Sequence, residues 1–310
     1  MNDRWTVRLQ NLLPRRSLTR LMGRLAAARG GPLTRAAVRA FARFYGVDMA
    51  EAADPRIEAY ASFNDFFTRA LRPDARPLAD APFVCPVDGA ISQFGAIDAG
   101  RIFQAKGHHY SATALLGGDA QAAAAFADGA FATLYLSPRD YHRIHMPCTG
   151  RLRRMVHVPG DLYSVNPATA RTVPGLFARN ERVVCLFDGV AGEAASAGIV
   201  GPGSGVFPFA LVLVGATIVG SMATVWHGIV NPPRPGRVRA WDYPADGPGE
   251  VHLARGAEMG RFLLGSTVVL LFPPGVIDWN PAWAPGGAVR VGQAMGLAAA
   301  GRRPAGGIEG

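Results

Sequence analysis

The densest polar stretch of the chain is LSPRDYHRIHMPCTG (136–150), in which His142 and His145 stand three residues apart with Asp140 and Arg143 beside them. Two chemistries fit these residue types. A His-x-x-His pair on a helix supplies two ligands to a metal such as zinc. Here Pro138 and Pro147 bracket the pair, which works against a long helix, and spacing supplies no third ligand. Acid–base chemistry needs one histidine with a carboxylate to orient it. Asp88 in PVDGAI (86–91) is a candidate, although a Pro-x-Asp-Gly pattern also reads as an ordinary β-turn.

A second unusual stretch is RFLLGSTVVLLF (261–272). Glycine inside a strand costs conformational entropy and leaves nothing to pack. The Gly-Ser pair either marks a bend between two short strands or makes the backbone between Gly265 and Ser266 a reacting group. A serine hydrolase is the obvious rival, but GPGSG, VGSMA and LGSTV all lack the G-x-S-x-G nucleophile elbow. There is no phosphate-binding G-x-x-x-x-G-K-[ST] loop, and Lys106 is the only lysine. An enzyme that forms an imine through a lysine and pyridoxal phosphate would have that one residue to use.

The elements that must position these groups follow from periodicity. TRAAVRAFARFYG (34–46) has helical apolar spacing with Gly46 as its C-cap, and SFNDFFTRALRP (62–73) starts at a Ser N-cap and stops at Pro73. From Pro82 onward, short Val/Ile/Phe-rich runs alternate with Gly, Pro and Asp, which is strand-and-turn texture. One helical stretch, 112–129, interrupts it. Between Ala194 and Pro233 there is no charged residue, and 206–226 is long enough to cross a bilayer. Its β-branched residues and its interruptions at Pro208, Gly215 and Gly220 fit short strands buried on both faces instead. The expected fold class is α+β: a helical N-terminal membrane-facing layer on a mainly β catalytic body. The expected divisions are residues 1–70, helical and basic, residues 71–300, catalytic, and a disordered tail over 301–310.

Composition narrows the partners. The 310 residues are 49% apolar, enough for a sizeable core. Cys85, Cys148 and Cys185 form no C-x-x-C pair and are odd in number, which argues against a disulfide framework. No signal peptide is visible. Ten arginines lie in residues 1–45 against the single acid Asp3, so the net charge of +9 sits there and the remainder is neutral. Such an arm suits phosphate-bearing partners, either anionic lipid or nucleic acid. Leu18, Leu21, Met22 and Leu25 share a helical face, preceded by Trp5, Leu9, Leu12 and Leu13. That pattern fits an interfacial membrane helix or a helix packed on its own domain.

Taken together and in order, PVDGAI (86–91), YHRIHMPCTG (141–150), GDLYSVNP (160–167) and LGST (264–267) resemble the bacterial phosphatidylserine decarboxylases, as do FNDFFTRALRPDARPL (63–78), FARNERV (177–183) and GAEMGRFLLGST (256–267). The likeness covers residues 60–275, with a weaker match in the N-terminal helices. Arg255 stands where that family often has lysine.

The resemblance implies a proenzyme that cuts itself between Gly265 and Ser266. Ser266 Oγ would attack the Gly265 carbonyl, with His145 as base and Asp88 orienting it. Elimination and hydrolysis would leave a pyruvoyl group derived from Ser266 as the cofactor, with no metal. The products would be a β-chain, 1–265, and an α-chain, 266–310, paired as a heterodimer that itself dimerises. The pyruvoyl group would form a Schiff base with phosphatidylserine, release CO2 and yield phosphatidylethanolamine. His142 would place the substrate carboxylate or protonate the carbanion. Tyr141, Tyr163, Ser164 and Asn166 would line the head-group pocket. The partner implied is an anionic membrane surface rather than nucleic acid, and the location is peripheral, on the cytoplasmic side of the inner membrane. A membrane-acting serine or metal hydrolase, or a non-enzymatic adaptor, are the alternatives.

Overall fold

In the computed structural model the described residues are 15–190, 205–217, 221–232, 234, 236–263 and 265–299. The arm residues Trp5, Leu9, Leu12 and Leu13, the tail 301–310 and Leu264 lie outside them.

Alternate residues of the most apolar strands are buried in two different cores, which is why their sequences show no polar face. In Thr267–Phe272, Val268, Leu270 and Phe272 enter one cluster while Val269 and Leu271 enter the other. Phe207–Val214 divides in the same way, with Phe209, Leu211 and Leu213 on one side and Ala210, Val212 and Val214 on the other. Side chains in a strand alternate between faces, so a strand covered on both sides reads as a continuous apolar run. Within the bilayer-length stretch 206–226, Phe207–Val214 and Met222–Thr224 are strands, and no helix among the described residues is long and apolar enough to cross a membrane.

Both strands belong to a nine-stranded antiparallel sheet. Thr267–Phe272 lies inside it, paired with Phe207–Val214 on one edge and Ala130–Tyr135 on the other. A four-stranded sheet joins Gly228–Asn231, Met222–Thr224, Glu258–Phe262 and Arg143–His145 in that order. Its Ile144, Met222, Met259 and Phe262 pack in the same core as Leu270 and Phe272. The run 261–272 is therefore two strands in two sheets, and Gly265 and Ser266 lie in the crossing between them. Register depends on close approach elsewhere too: a Cβ on Gly89 would stand 2.2 Å from the Tyr135 carbonyl oxygen.

The helices largely follow their sequence signals. Pro32–Tyr45 begins with proline and ends at Gly46 in the left-handed conformation. Ser62 and Asp65 form a reciprocal capping box. That helix, Phe63–Phe67, ends well before Pro73. The stretch 112–129 makes two short helices, Ala112–Leu115 and Ala120–Ala124, rather than one. Gly117 and Gly118, both at positive φ, break it. Phe66 and Phe67 pack with Val38 and Ala42 in a third core that joins this layer together.

The loop 160–167 is fastened from inside by Asn180, with Thr217 donating to the Leu162 carbonyl beside it. Asn180 is wholly buried, accepts from the Tyr163 N–H at 3.1 Å, and donates to the carbonyls of Tyr163 at 2.8 Å and Gly215 at 2.9 Å. Asn180→Ala leaves these backbone groups without that partner. The expected loss is about 2–4 kcal/mol of folding stability, to be read from urea unfolding monitored by tryptophan fluorescence.

Candidate active site

Gly265 and Ser266 are enclosed by backbone pairing. Ser266 O accepts from Leu136 N–H at 2.9 Å, and Phe262 N–H donates to His142 O at 3.0 Å. Thr267 pairs at once with Tyr135 and Val214. The Ser266 side chain is 1% exposed, yet its Oγ has no hydrogen-bond partner. A buried hydroxyl without a partner carries a desolvation cost and invites a functional explanation. A Cβ on Gly265 would lie 3.1 Å from His142 Nε2, so the imidazole fits against this backbone because residue 265 has no side chain.

His142 is fully buried, its ring 4.1 Å from that of Phe67. Nδ1 lies 2.7 Å from the Asp140 carbonyl oxygen. A carbonyl only accepts, so Nδ1 carries the hydrogen and Nε2 is left with its lone pair. Nε2 has no partner. Burial pushes the pKa down to about 3, and the nearby Arg69 charge acts in the same direction. This imidazole is neutral.

His145 ends the strand Arg143–His145. Its Nδ1 donates to Gly256 O at 2.8 Å, and its Nε2 accepts from the Tyr141 hydroxyl at 3.2 Å. Burial lowers its pKa as well, with the Arg143 charge acting in the same direction, while the Gly256 hydrogen bond and the Glu258 and Asp88 charges oppose that shift. The hydrogen bond that fixes its ring therefore comes from a backbone carbonyl rather than from Asp88. Asp88 is held by Arg76, whose Nε donates to Oδ1 at 3.0 Å and whose Nη2 donates to Oδ2 at 2.5 Å, and by Val291 N–H at 2.9 Å. A buried carboxylate demands a cation. Arg76 meets that demand, so Asp88 acts on His145 through space. Neither histidine is on a helix, and among the described residues no three His, Cys, Asp or Glu side chains converge as metal ligands.

A cavity of about 220 Å3 opens onto Gly265 and Ser266. Ser164 and Asn166 line it, and Asn166 is fixed there by capping a short helix through Thr169 N–H at 2.9 Å. Tyr163 is not in its wall; its ring lies 5.1 Å beneath the Arg179 guanidinium. Tyr141 lines a separate, larger cavity. Sequence reasoning missed Phe41, Tyr45, Phe67 and Tyr135, which form much of the wall. The first two sit four apart in the Pro32–Tyr45 helix, so their common face was readable, but not what it faced.

The family model described as phosphatidylserine decarboxylase matches residues 63–297, and a second, described as PSD, matches residues 6–46. A phosphatidylserine decarboxylase proenzyme of Methylibium petroleiphilum is 66% identical over 298 residues, covering 96% of this chain and 99% of its own. Those of Azoarcus sp. and Verminephrobacter eiseniae are 64% and 65% identical, covering 96% and 95% of this chain and 96% and 98% of theirs.

The depressed pKa of His142 has a sign in stability. An unfolded histidine takes up a proton below its ordinary value of 6.5, whereas the folded one resists protonation until about 3. Stability conferred by the neutral ring is full above pH 6.5 and falls as the pH drops toward 3. At pH 5 the loss through this group is about 2 kcal/mol. The fall in urea midpoint between pH 7 and pH 5 should shrink in His142→Phe; an unchanged slope would show that the ring is not held neutral.

Proposed function

Because the chain belongs to the phosphatidylserine decarboxylase family, we propose that it cleaves its own Gly265–Ser266 bond and that Ser266 becomes the pyruvoyl group used in the reaction. The protein removes CO2 from phosphatidylserine to give phosphatidylethanolamine. The observation that carries the site assignment is the unpartnered, buried Ser266 Oγ following a glycine, which has no side chain to cover its carbonyl, in the crossing between two sheets.

For cleavage, Ser266 Oγ adds to the Gly265 carbonyl carbon and the C–N bond breaks, giving an ester and a free amine at 266. Loss of the Ser266 Cα proton and of the Cβ–Oγ bond then frees Gly265 as a carboxylate. The remaining dehydroalanine takes up water and loses ammonia, leaving a ketone at 266. The first step needs a base, since a serine hydroxyl is a weak nucleophile on its own. His142 is nearer in the structure, but electrostatics favours His145. Charging His142 would bury an imidazolium beside Arg69 with no carboxylate among the groups that shift it, whereas at His145 the Glu258 and Asp88 charges favour the charged form against the opposing Arg143 charge. The Nε2 lone pair of His145 already accepts a hydrogen bond from Tyr141, and such contacts often realign when the reaction begins.

The pyruvoyl group, once formed, supplies a carbonyl that captures the substrate amine and draws off the electrons released with CO2. His142 Nε2, bare and beside residue 265, is placed to accept a hydrogen bond from the substrate ammonium and so to hold the amine at the ketone. The cavity walls from Phe41, Phe67, Leu136 and Val165 suit a carboxylate that leaves as a neutral gas, because an apolar wall disfavours the charged start more than the charge-dispersed transition state. Ser164 and Asn166 offer the polar contacts for the head group. After cleavage the chains 1–265 and 266–310 stay paired, since Thr267–Phe272 is held on both edges by upstream strands.

The N-terminal helices are the proposed membrane-association region, and residues 71–300 the catalytic body. Leu21 and Leu25 are 55% and 58% exposed, and Leu33 and Phe44 are both 81% exposed. Thr19 and Ala26 are the buried positions of the Arg15–Ala27 helix, so Leu21 and Leu25 of its apolar stripe are not spent on the protein's own core. Phe44 faces out from the same helix whose Phe41 and Tyr45 line the cavity, which sets the cavity close to an apolar surface able to enter a lipid interface. This supports a peripheral position at a lipid surface; the cytoplasmic side of the inner membrane, with its anionic lipid, is the proposed location.

Intact-protein mass spectrometry tests the assignment. Wild-type protein is expected as two chains parted at Gly265/Ser266. Ser266→Ala should remain one chain without decarboxylase activity, and Asp88→Asn and His145→Ala should process slowly or not at all. His142→Ala should still cleave but lose about 100-fold in kcat through misplacement of the substrate amine. A His142→Ala protein that stayed uncleaved would transfer the base role to His142, and an active Ser266→Ala protein would end the proposal.

A further inference from the structure

Residues 135–138 separate the Ser266 cavity from a larger one of about 440 Å3. Leu136 and Pro138 face the first, Ser137 faces the second, and Tyr135 is in both walls. Four arginines and four carboxylates line the larger space, and most are committed to each other. Arg76 holds Asp88 and Glu51, and Arg290 holds the other Glu51 oxygen at 2.9 Å. Asp140 accepts from Ser137 N–H at 2.7 Å and from its hydroxyl at 2.8 Å, with Arg139 at 3.9 Å.

Arg69 is the exception. It is 5% exposed, lines this cavity, and has no carboxylate within ion-pair distance among the described residues. Its Nε has no partner, its Nη2 makes one long contact of 3.5 Å to the Arg139 carbonyl, and its guanidinium lies 5.4 Å from the Phe66 ring. Asp88 and Glu51 reach it only through space, as do Tyr60 and Tyr141. A buried cation left without an anion is expensive to keep. Keeping one at the wall of a polar cavity makes sense if an anion arrives from outside.

We propose that Arg69 is the phosphate-binding residue of this cavity and that it holds the phosphodiester of the lipid head group during decarboxylation. The assignment to lipid rests on the reading of Ser266 given above. A guanidinium presents paired donors that match phosphate oxygens. Two residues earlier in the chain, Phe67 packs on His142 and lines the Ser266 cavity, and the Arg69 charge acts on His142, so the two spaces serve neighbouring parts of one molecule. The serine carboxylate is the wrong anion for Arg69. An ion pair there would stabilise the group that has to leave and so raise the barrier. The phosphodiester keeps its charge throughout, so binding it costs the chemical step nothing. Free inorganic phosphate shares this chemistry and is the other source to be tested.

Full-length Ser266→Ala protein, which does not turn over, is titrated calorimetrically with glycerophosphoserine, glycerophosphoethanolamine and inorganic phosphate, with and without Arg69→Gln and Arg69→Lys. In parallel, Arg69→Gln and Arg69→Lys in the otherwise wild-type chain are checked for cleavage and assayed on phosphatidylserine in detergent micelles. The expected result is that both glycerophospho compounds bind, that Arg69→Gln weakens both about tenfold or more, and that Arg69→Lys recovers part of the loss. KM for the lipid should rise by a similar factor while cleavage and kcat hold. Binding of inorganic phosphate that depends on Arg69, with the lipid KM unmoved, keeps the site and makes free phosphate its occupant. Binding of glycerophosphoserine alone would make the carboxylate the ligand and overturn the proposal. So would equal affinities in Arg69→Gln, a fall in kcat at constant KM, or an Arg69→Gln chain that stays uncut. Failure of the wild-type chain to cleave would count against the Ser266 reading and leave the titrations to judge Arg69 separately.

Discussion

A backbone bond that is to react must be held still, kept dry and left unshielded, and the pairing of Thr267–Phe272 supplies the first two conditions. Hydrogen-bonded on both edges and apolar on both faces, that strand cannot slip without moving every residue of its register to the opposite face. The crossing before it inherits that rigidity. Ser266 is anchored through its carbonyl to Leu136, and its hydroxyl is the group left over. The third condition is met by Gly265, which has no side chain; a Cβ there would crowd His142 Nε2 at 3.1 Å.

Around this point two histidines of one short segment are given different electrostatic surroundings. His142 sees a ring, a carbonyl and a distant cation, and is neutral. His145 sees a carbonyl, a phenol and two through-space carboxylates that offset the Arg143 charge. Different environments acting on like residues are how one site divides acid and base duties. The Arg76 bridge to Asp88 and Glu51 ties the segment before the first strands to residues near the catalytic segment, so the carboxylate that influences His145 is itself immobilised.

Much of this was legible in the chain. The alternation of short apolar runs with turn residues announced a β body, Gly46 and Ser62 announced helix ends, and the uncharged stretch 206–226 was readable as sheet from its branched residues and its breaks. Glycine and serine within an apolar run singled out residues 265 and 266. What was not legible depends on contacts between distant segments. Nothing near Asp88 in sequence says that Arg76 will claim it, and nothing near His145 says that Gly256 will fix its ring. Phe41, Tyr45 and Phe67 have ordinary core-forming patterns; only the docking of their helices makes them walls of a cavity. The stretch 112–129 read as one helix, although its Gly117–Gly118 pair is the signal that marks the split.

The double-edged pairing of Thr267–Phe272 also changes what unfolding means for this molecule. Before the proposed cut, the chain is one connected polymer, and its sheet can reassemble at any dilution. After it, the central strand belongs to a separate short polypeptide, and its return becomes a second-order encounter whose success depends on concentration. The ketone end cannot be rejoined to Gly265, so the path back to the original topology is closed. The mature protein would then owe its persistence to the height of the barrier against opening the sheet rather than to the depth of an equilibrium well. Burying the severed strand between two partners is an arrangement that keeps that barrier high.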